Sequence, residues 1–565
     1  MKPSLLVSAI EAHKRQNFSE ATRLYKLVLE TDPKNVTALH MLGVVFYKGN
    51  ELKKGIKLLK SAMLYSPKNP EIFYDLGLCF LSEGSLNKAL DNFTSALSLN
   101  PALHAAEFQK GLTLKKLGLI TDARRYLFSF AQKNPKQPHG YIELGNLEKE
   151  LGNLKDALAY YDLACVISPK LLEAWHNKGV ILADLGHTND GIKAIKKAIS
   201  IDANHLRSYI ILAQLISERD GPKSAIKIID LAIKIDPSYL WLHITKADIL
   251  FELYDLAGGW REYAWRNKKY SGQHSLKSDL KIFHRSEILS SNIFLTAEQG
   301  LGEQILFSSM LPDLLRDAKT VCLQCEERLI PIFKRSFKGL RLVNYKSTSA
   351  EYQKCISEMD ITLPLGSLGN IYRKDFSSFP SHKGYLIPDK ERVKYFRQKY
   401  LALADGKPVL GISWRSFNPL SFWRKSAPLV LWNDILLRDD IFVVNVQYGA
   451  IQKEVEGLAL RPNALYTDGE ITDDACLEDT LAQIAAMDLL VSTSNTSAHM
   501  AGALNLQTIL LLPNKLSHLW YWFPKMVVNP WYPSVTNILQ NQPLSWQQSI
   551  SDANHYIDQI FSKHI

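Results

Sequence analysis

The fold of the first half is decided by a stretch from Val36 to Asn69 that reads VTALHMLGVVFYKGNELKKGIKLLKSAMLYSPKN. Its large apolar, small and proline residues stand at Leu39, Leu42, Gly43, Phe46, Gly55, Leu59, Ala62 and Pro67. Two antiparallel helices need small residues where they cross closely, and proline cannot continue a helix. The stretch therefore predicts one helical pair, with Pro67 marking the passage to the next.

This unit recurs every 34 residues. Proline stands at 33, 67, 101, 135, 169 and 237, Ala203 fills the gap, and glycine stands at 43, 77, 111, 145 and 179. A single pair cannot bury its own apolar face, whereas a stack of pairs can. The pattern resembles the tetratricopeptide repeat (TPR) and predicts a superhelical solenoid of about eight repeats over residues 1–270.

A TPR array typically binds an extended segment of another protein along its concave face. The sixth position of the first helix in each unit is expected to point there. Four successive units carry polar residues at this position, namely Asp75, Gln109, Glu143 and Asn177. We interpret them as acceptor-binding residues for a protein partner, with an ordinary solvated groove as the alternative.

The length and composition of the chain limit the possible fold classes. The 565 residues are too many for one core, and 46% hydrophobic with 22% charged residues is ordinary for a globular protein. Lys plus Arg exceed Asp plus Glu by 67 − 57 = 10. This excess either steers an anionic ligand such as a nucleotide diphosphate or is a basic background without a target.

Six scattered cysteines show no disulfide framework, which predicts a reducing compartment. Cys322 and Cys325 lie in an apolar run that predicts a strand rather than a zinc site. The N-terminus has no signal-peptide pattern, and residues 489–514 carry many polar side chains. We expect a cytoplasmic protein without a transmembrane segment, metal or nucleic-acid partner.

Beyond a polar linker at 271–290, short apolar runs alternate with helical patterns. The predicted strands are 293–297, 320–324, 341–345, 409–414, 441–447, 489–492 and 508–512, with helices at 303–316, 327–336 and 478–487. Strand–helix alternation is typical of parallel sheets covered on both faces. A polar interval at 366–406 separates two groups of strands. The sequence thus predicts an α/β fold of two Rossmann-like lobes, at 291–400 and 401–565.

Three segments of this half have the residues for chemistry. The first contains Gly300, Gly302 and Glu303, where a strand meets a helix whose N-terminus favours negative charge. Glu303 either complements the helix dipole or acts in catalysis. A dinucleotide fingerprint needs a third glycine where Ile305 stands, which weakens a dehydrogenase interpretation.

The other two segments lie at the carboxyl ends of later strands, where open α/β sheets bind ligands. One supplies Ser413, Arg415, Ser416 and Lys425, cations and hydroxyls that suit a diphosphate or are simply solvated. The other supplies an anion cradle at a helix start, formed by free backbone N–H groups with Ser494, Asn495, Thr496 and Ser497. His499 either donates to a phosphate or packs at the helix start.

Five motifs then carry a resemblance: QGLGEQILF (299–307), GISWRS (411–416), NVQYG (445–449), STSNTSAH (492–499) and NPWYPS (529–534). They resemble bacterial TPR proteins with a C-terminal glycosyltransferase domain of the GT-B fold, similar to the heptosyltransferase type (family 9). The resemblance implies metal-independent, inverting transfer from a nucleotide sugar. Its general base is implied at Glu303, where the relatives have a Gly-Asp pair. Donor contacts are implied at Gln447, Asn495, Thr496 and His499, and Ser494 stands where relatives often carry an acid.

We therefore expect a glycosyltransferase without a cofactor that modifies a Ser or Thr hydroxyl of a protein, such as flagellin or another surface protein. Two alternatives stay open. One is a non-catalytic scaffold or chaperone with a degenerate transferase domain, and the other is a transferase acting on lipid-linked glycan.

Overall fold

The computed structural model describes residues 4–269, 283–298, 300–344, 350–416, 422–449, 451–458, 464–471, 477–514 and 519–562. Most of the predicted linker, at 271–282, lies outside these ranges. The chain divides into two compact units, Met1–Ile181 and Leu182–Ile565. The predicted domain limits at 270, 290 and 400 stay predictions.

The first half of the chain consists of sixteen consecutive helices within the described residues, in eight pairs. They are α1 (Leu5–Lys14), α2 (Phe18–Thr31), α3 (Val36–Lys48), α4 (Leu52–Tyr65), α5 (Pro70–Ser82), α6 (Leu86–Leu99), α7 (His104–Lys116), α8 (Ile120–Lys133), α9 (Pro138–Glu150), α10 (Leu154–Ile167), α11 (Leu172–Asp184), α12 (Thr188–Ile201), α13 (Leu206–Asp220), α14 (Pro222–Ile235), α15 (Leu240–Glu252) and α16 (Leu256–Tyr263). The mostly helical solenoid predicted from the 34-residue spacing is confirmed.

The small residues of the repeat lie where paired helices cross. A Cβ added to Gly77 of α5 would lie 2.5 Å from the ring of Phe93 in α6, and one added to Gly145 of α9 would lie 2.7 Å from the ring of Tyr161 in α10. Between the two helices of a pair, Gly84 adopts a φ of +82°, which disfavours other residues. The glycine columns thus follow from close packing, as the sequence predicted.

The second half holds nine strands and thirteen further helices among the described residues. The strands are β1 (Asn292–Thr296), β2 (Thr320–Cys325), β3 (Leu340–Asn344), β4 (Ile361–Pro364), β5 (Val409–Ser413), β6 (Phe442–Asn445), β7 (Leu489–Thr493), β8 (Thr508–Leu512) and β9 (Val535–Leu539). The helices are α17 (Arg285–Ile288), α18 (Leu301–Ser308), α19 (Leu311–Asp317), α20 (Ile330–Ser336), α21 (Ala350–Ser357), α22 (Gly369–Tyr372), α23 (Lys390–Ala404), α24 (Phe422–Lys425), α25 (Asn433–Leu436), α26 (Gln452–Glu456), α27 (Leu477–Ala485), α28 (Thr496–Leu504) and α29 (Gln547–Phe561).

The strands form two parallel sheets. The first has the order β3-β2-β1-β4, and Leu295 of β1 pairs with Leu323 and Leu363 on either side. The second has the order β6-β5-β7-β8-β9, and its central strands β5, β7 and β8 are completely buried. Burial on both faces explains why these strands read as continuous apolar runs.

Three details differ from the sequence analysis. The helix predicted at 303–316 is two helices, α18 and α19, with Pro312 at the start of the second. The edge strands β4 and β9 were not predicted. Cys322 of β2 is paired with Cys355 of α21 as a disulfide, whereas the sequence indicated no disulfide. No described helix is long and apolar enough to cross a membrane.

Within the second compact unit, the last helical pairs pack directly on the α/β elements. Trp260 of α16 donates from Nε1 to the carbonyl oxygen of Arg373 at 2.7 Å, and its ring lies 5.2 Å from that of Trp520, edge to face. Phe251 of α15 stacks on the same Trp520 ring at 3.9 Å. Because these aromatic side chains share one buried core, the end of the helical array is part of this unit's interior.

Candidate functional site

Glu303 lies in the first turn of α18, directly after β1, and is partly buried. Burial raises the pKa of its carboxyl to about 7, and the charge of Glu298 adds to this effect. Glu298 itself is 5% exposed, and its Oε1 accepts from Gly366 N at 2.7 Å and from Arg266 Nη2 at 3.0 Å. The Gly300 N–H donates to the Glu303 carboxylate and opposes the rise. The balance leaves a carboxyl able to exchange a proton near neutral pH.

The structure brings the first and third predicted segments together, because α18 packs on α28. The backbone of Gly302 faces the imidazole of His499, and a Cβ at Gly302 would lie 2.6 Å from His499 Cδ2. Only glycine fits against the ring at this distance. The glycine is thus required by the approach of two helices that follow strands of different sheets.

His499 is held by aromatic neighbours. Its Nδ1 lies 2.9 Å from the hydroxyl of Tyr532, and its ring stacks on Trp522 at 4.4 Å. Trp522 in turn donates from Nε1 to Ser494 Oγ at 2.8 Å. Burial lowers the pKa of His499 to about 3, and the charge of Lys425 contributes. The imidazole is therefore neutral at physiological pH and acts as a fixed hydrogen-bonding group rather than a cation.

Lys425, the last residue of α24, is 8% exposed. Burial lowers the pKa of its ammonium group, and the charges of Glu303 and Arg424 act on it in opposite directions. Arg424 forms an ion pair with Asp184, the last residue of α11. The charge of Lys425 acts on both Glu303 and His499 and lowers the pKa of each.

Ser413, Gln447 and Asn495 form a network at the carboxyl edge of the second sheet. Gln447 Oε1 accepts from Ser413 Oγ at 3.0 Å and from the backbone N–H of Arg415 at 2.8 Å. Asn495 Nδ2 donates to Ser413 Oγ at 2.7 Å, and its Oδ1 accepts from Ala498 N at the start of α28. These groups fix the turns after β5, β6 and β7 relative to one another.

The remaining predicted donor contacts have other neighbours. Arg415 forms an ion pair with Glu454 of α26, whose Oε2 also accepts from Trp414 Nε1 at 2.7 Å. The Ser416 N–H donates to Ser426 Oγ at 3.2 Å. Arg415 therefore lies against α26.

A pocket with a volume of about 200 Å³, partly open to solvent, lies at the same edge of the second sheet. Gln447 and Tyr448, after β6, and Thr496 and Ser497, at the start of α28, line one part of it. Leu301 of α18 contributes from the first sheet's side. The pocket offers polar groups beside a helix N-terminus, a combination that suits an anionic ligand.

The four residues predicted to bind an acceptor lie on equivalent first helices, from α5 to α11, and are partly exposed. Asp75 Oδ2 lies 2.6 Å from His40 Nε2, and Glu143 lies 3.7 Å from Lys115. Asn177 Nδ2 lies 3.4 Å from Asn146 Oδ1, and the backbone oxygen of Gln109 accepts from Thr113 Oγ1 at 2.7 Å. Three of the four thus contact polar neighbours within the first compact unit.

Several functional candidates were missed by the sequence analysis: Arg266, Glu298, Tyr521, Trp522 and Tyr532. Glu298 directly precedes the motif at 299–307, and Tyr532 lies within the motif at 529–534. Their spacing along the chain does not predict that they lie near Glu303 or His499. Within the described ranges, no group of three His, Cys, Asp or Glu side chains is placed to hold a metal ion.

Comparison with known proteins supports the repeats directly. Residues 108–171 and 172–205 match two family models of the tetratricopeptide repeat. Protein FlbA of Caulobacter vibrioides is 26% identical over 330 residues, which cover 54% of this chain and 53% of FlbA. The chain thus spans about half the length of this curated relative.

Solved structures show a weaker likeness. PilF of Pseudomonas aeruginosa is 17% identical with a TM-score of 0.33, covering 36% of this chain and 93% of that structure. YrrB, described as a TPR protein with an unusual peptide-binding site, is 20% identical with a TM-score of 0.28, covering 33% and 95%. Residues 108–205 thus match tetratricopeptide repeats, and the second half of the chain consists of parallel-sheet α/β elements.

Proposed function

We propose that this chain is a glycosyltransferase of the GT-B fold that moves a sugar from a nucleotide-activated donor to a Ser or Thr hydroxyl of a protein. The proposal depends mainly on the charged and buried groups around Glu303. This carboxyl has a pKa of about 7, the charge of Lys425 acts on it, and the neighbouring Gly302 faces His499; Lys425 and His499 lie in helices that follow strands β5 and β7 of the second sheet. A proton acceptor, a cation and a neutral imidazole between two α/β sheets are what metal-independent sugar transfer requires.

Each group has a defined part in the reaction. Ionised Glu303 takes the proton of the acceptor hydroxyl as its oxygen bonds to the anomeric carbon. The bond from that carbon to the diphosphate breaks, and the diphosphate leaves with the electron pair. Lys425 and the N-terminus of α28 neutralise its growing charge. Attack from the side opposite the leaving group inverts the anomeric centre.

The donor occupies the pocket at the carboxyl edge of the second sheet. Tyr448 is 40% exposed and offers an aromatic face to a nucleoside base, while Thr496 and Ser497 lie at the helix start where phosphates bind. The hydrogen bonds among Ser413, Gln447 and Asn495 hold these turns in place. Some of their polar atoms are used in those bonds and do not contact the donor. His499 is 3% exposed and presents its ring toward Gly302, so it acts by holding α28 against α18.

The TPR repeats supply the protein acceptor. Repeats of this kind present a groove to an extended polypeptide, and Asp75, Gln109, Glu143 and Asn177 provide polar groups for its backbone. A surface protein such as flagellin, modified before export, is the proposed acceptor class. A lipid-linked glycan gives no reason for such a groove, and transfer to lipid is therefore the outcome that contradicts this part of the proposal.

A second candidate function is that of a non-catalytic scaffold. The observation that favours it is the use of Ser413, Gln447 and Asn495 in mutual hydrogen bonds, which leaves fewer polar atoms for a donor. A scaffold would keep protein binding, and even nucleotide binding, without turnover.

The test incubates the purified chain with radiolabelled UDP-, GDP- and dTDP-sugars and an extract of cells that lack the gene. We expect label in a protein band with the wild type and with Glu391→Gln, an exposed control on α23. We expect none with Glu303→Gln. Label confined to the lipid fraction, or undiminished labelling by Glu303→Gln, would refute the proposal. Nucleotide binding without any transfer would favour the scaffold.

A further inference from the structure

A second pocket lies within the C-terminal compact unit, on the last helical pairs. It has a volume of about 140 Å³ and is partly open to solvent. One wall consists of polar residues of α13 and α15, and the opposite wall is the segment from Leu519 to Lys525. Thr245 and Asp248 of α15 line the pocket. They are three residues apart and therefore lie on the same face of the helix. Thr245 occupies the sequence position predicted to face the groove of the repeats.

The charges of the pocket do not cancel. Glu252 is neutralised by Lys525, whose Nζ lies 3.0 Å from Glu252 Oε1, and Glu252 Oε2 accepts from Ser217 Oγ at 3.2 Å. Asp248 is exposed inside the pocket and forms no hydrogen bond or ion pair with any residue that the structure describes. The surrounding protein raises the pKa of Asp248 to about 7, because it removes water that would otherwise stabilise the charged carboxylate. Among the described residues that line it, the pocket therefore carries one uncompensated acid.

The apolar lining is aromatic. Phe251 and Trp520 stack at 3.9 Å, and Tyr254 and Phe523 lie 6.4 Å apart, centroid to centroid, at the same pocket. Aromatic faces bind the methylene stem of lysine or arginine and attract its charged head. An aromatic wall beside an unpaired carboxylate is thus complementary to a long basic side chain and not to an acidic or purely apolar one.

The pocket is also near the candidate base. The ring of Tyr263 in α16 lies 5.6 Å from that of Trp520 in the pocket wall, and burial, together with the charges of Glu303 and Asp248, raises the pKa of Tyr263. A polypeptide whose basic side chain enters the pocket would thus pass near Glu303.

We propose that this pocket, defined by Thr245, Asp248, Glu252, Trp520 and Phe523, binds a lysine or arginine side chain of the polypeptide held by the repeats. The proposal rests on the proposed function only for the idea that the polypeptide is the acceptor. The binding itself requires no sugar transfer. The basic residue would fix the register of the polypeptide, and so decide which hydroxyl lies at Glu303.

The test measures binding without a nucleotide sugar. The probes are two fluorescein-labelled twelve-residue peptides of alternating Ser and Ala with one central residue, lysine in the first and norleucine in the second. We expect the purified full chain to bind the lysine peptide about tenfold more tightly than the norleucine peptide, as measured by fluorescence anisotropy. Asp248→Asn, which keeps the shape of the side chain, should remove this preference, and Glu391→Gln should keep it.

Three results would overturn the proposal. The first is equal affinity of the wild type for both peptides, and the second is an unchanged preference for the lysine peptide in Asp248→Asn. The third is loss of this preference in Glu391→Gln as well. Asp248→Lys is the second variant, and it should weaken the lysine peptide further while it spares the norleucine peptide. Circular dichroism of each variant shows whether it is folded. Because no donor is present, failure of sugar transfer leaves this measurement intact, and failure of peptide selection leaves sugar transfer intact.

Discussion

Glu303→Gln should change how the stability of the C-terminal unit depends on pH. The pKa of Glu303 is about 7 in the folded chain and 4.5 as its ordinary value, which we take for the unfolded chain. Between these values the unfolded chain is ionised while the folded chain holds the proton, so wild-type stability falls as pH rises from 4.5 to 7. The difference corresponds to about 3 kcal/mol, and partial exposure of the side chain reduces it to about 2 kcal/mol. Because glutamine does not titrate, the stability of Glu303→Gln does not fall with pH for this reason.

The assay is urea unfolding at pH 5 and pH 8, followed by tryptophan fluorescence. Of the eleven tryptophans only Trp175 lies outside residues 182–565, so the signal reports this unit. Relative to the wild type, Glu303→Gln should be about 2 kcal/mol more stable at pH 8 than at pH 5. Glu391→Gln, an exposed acid of the same unit, is the matched control. Parallel pH dependence of wild type and Glu303→Gln would refute the assignment of a perturbed carboxyl at this position.

Other substitutions test the packing around the site. Gly302→Ala places a Cβ 2.6 Å from His499 Cδ2. It should lower the free energy of unfolding by about 1–3 kcal/mol, with a lower melting temperature, and should also slow sugar transfer. Asp184→Asn leaves Arg424 without its ionised partner and should cost about 1–3 kcal/mol, measured by urea unfolding; an unchanged midpoint would show that the pair contributes nothing. Trp260→Ala should cost about 3–5 kcal/mol in the same assay, and a loss below 1 kcal/mol would contradict its place in the shared core.

The array and the central strands were predictable because their signals are local. A 34-residue spacing of Pro67, Gly77 and their equivalents reports helix crossing directly, and the fully buried strands β5, β7 and β8 are continuous apolar runs. The two strands that escaped prediction, β4 and β9, both lie at sheet edges. Ile361–Pro364 is short and ends in proline, and Val535–Leu539 is interrupted by Thr536 and Asn537. Both segments therefore give a weaker strand pattern than the continuous apolar runs of the central strands.

The candidate site was predictable only in part, because its parts are distant in sequence. The sequence identified Glu303 and His499 as candidates, and the strand-to-helix turns explain why each lies at a carboxyl edge. It could not show that Gly302 lies against His499, or that Tyr532 holds the imidazole. Those contacts depend on how α18 and α28 pack, which no spacing along the chain encodes. The aromatic core around Trp260 was missed for the same reason.

The central claim, sugar transfer to protein through Glu303, is tested most directly by intact-protein mass spectrometry on cells. Three strains are compared, with the wild-type gene, with Glu303→Gln and without the gene. We predict that at least one protein carries a sugar-sized mass in the wild type and that this mass is absent from the other two strains. The same modified mass in the Glu303→Gln strain, or no protein difference between wild type and deletion, would contradict the account.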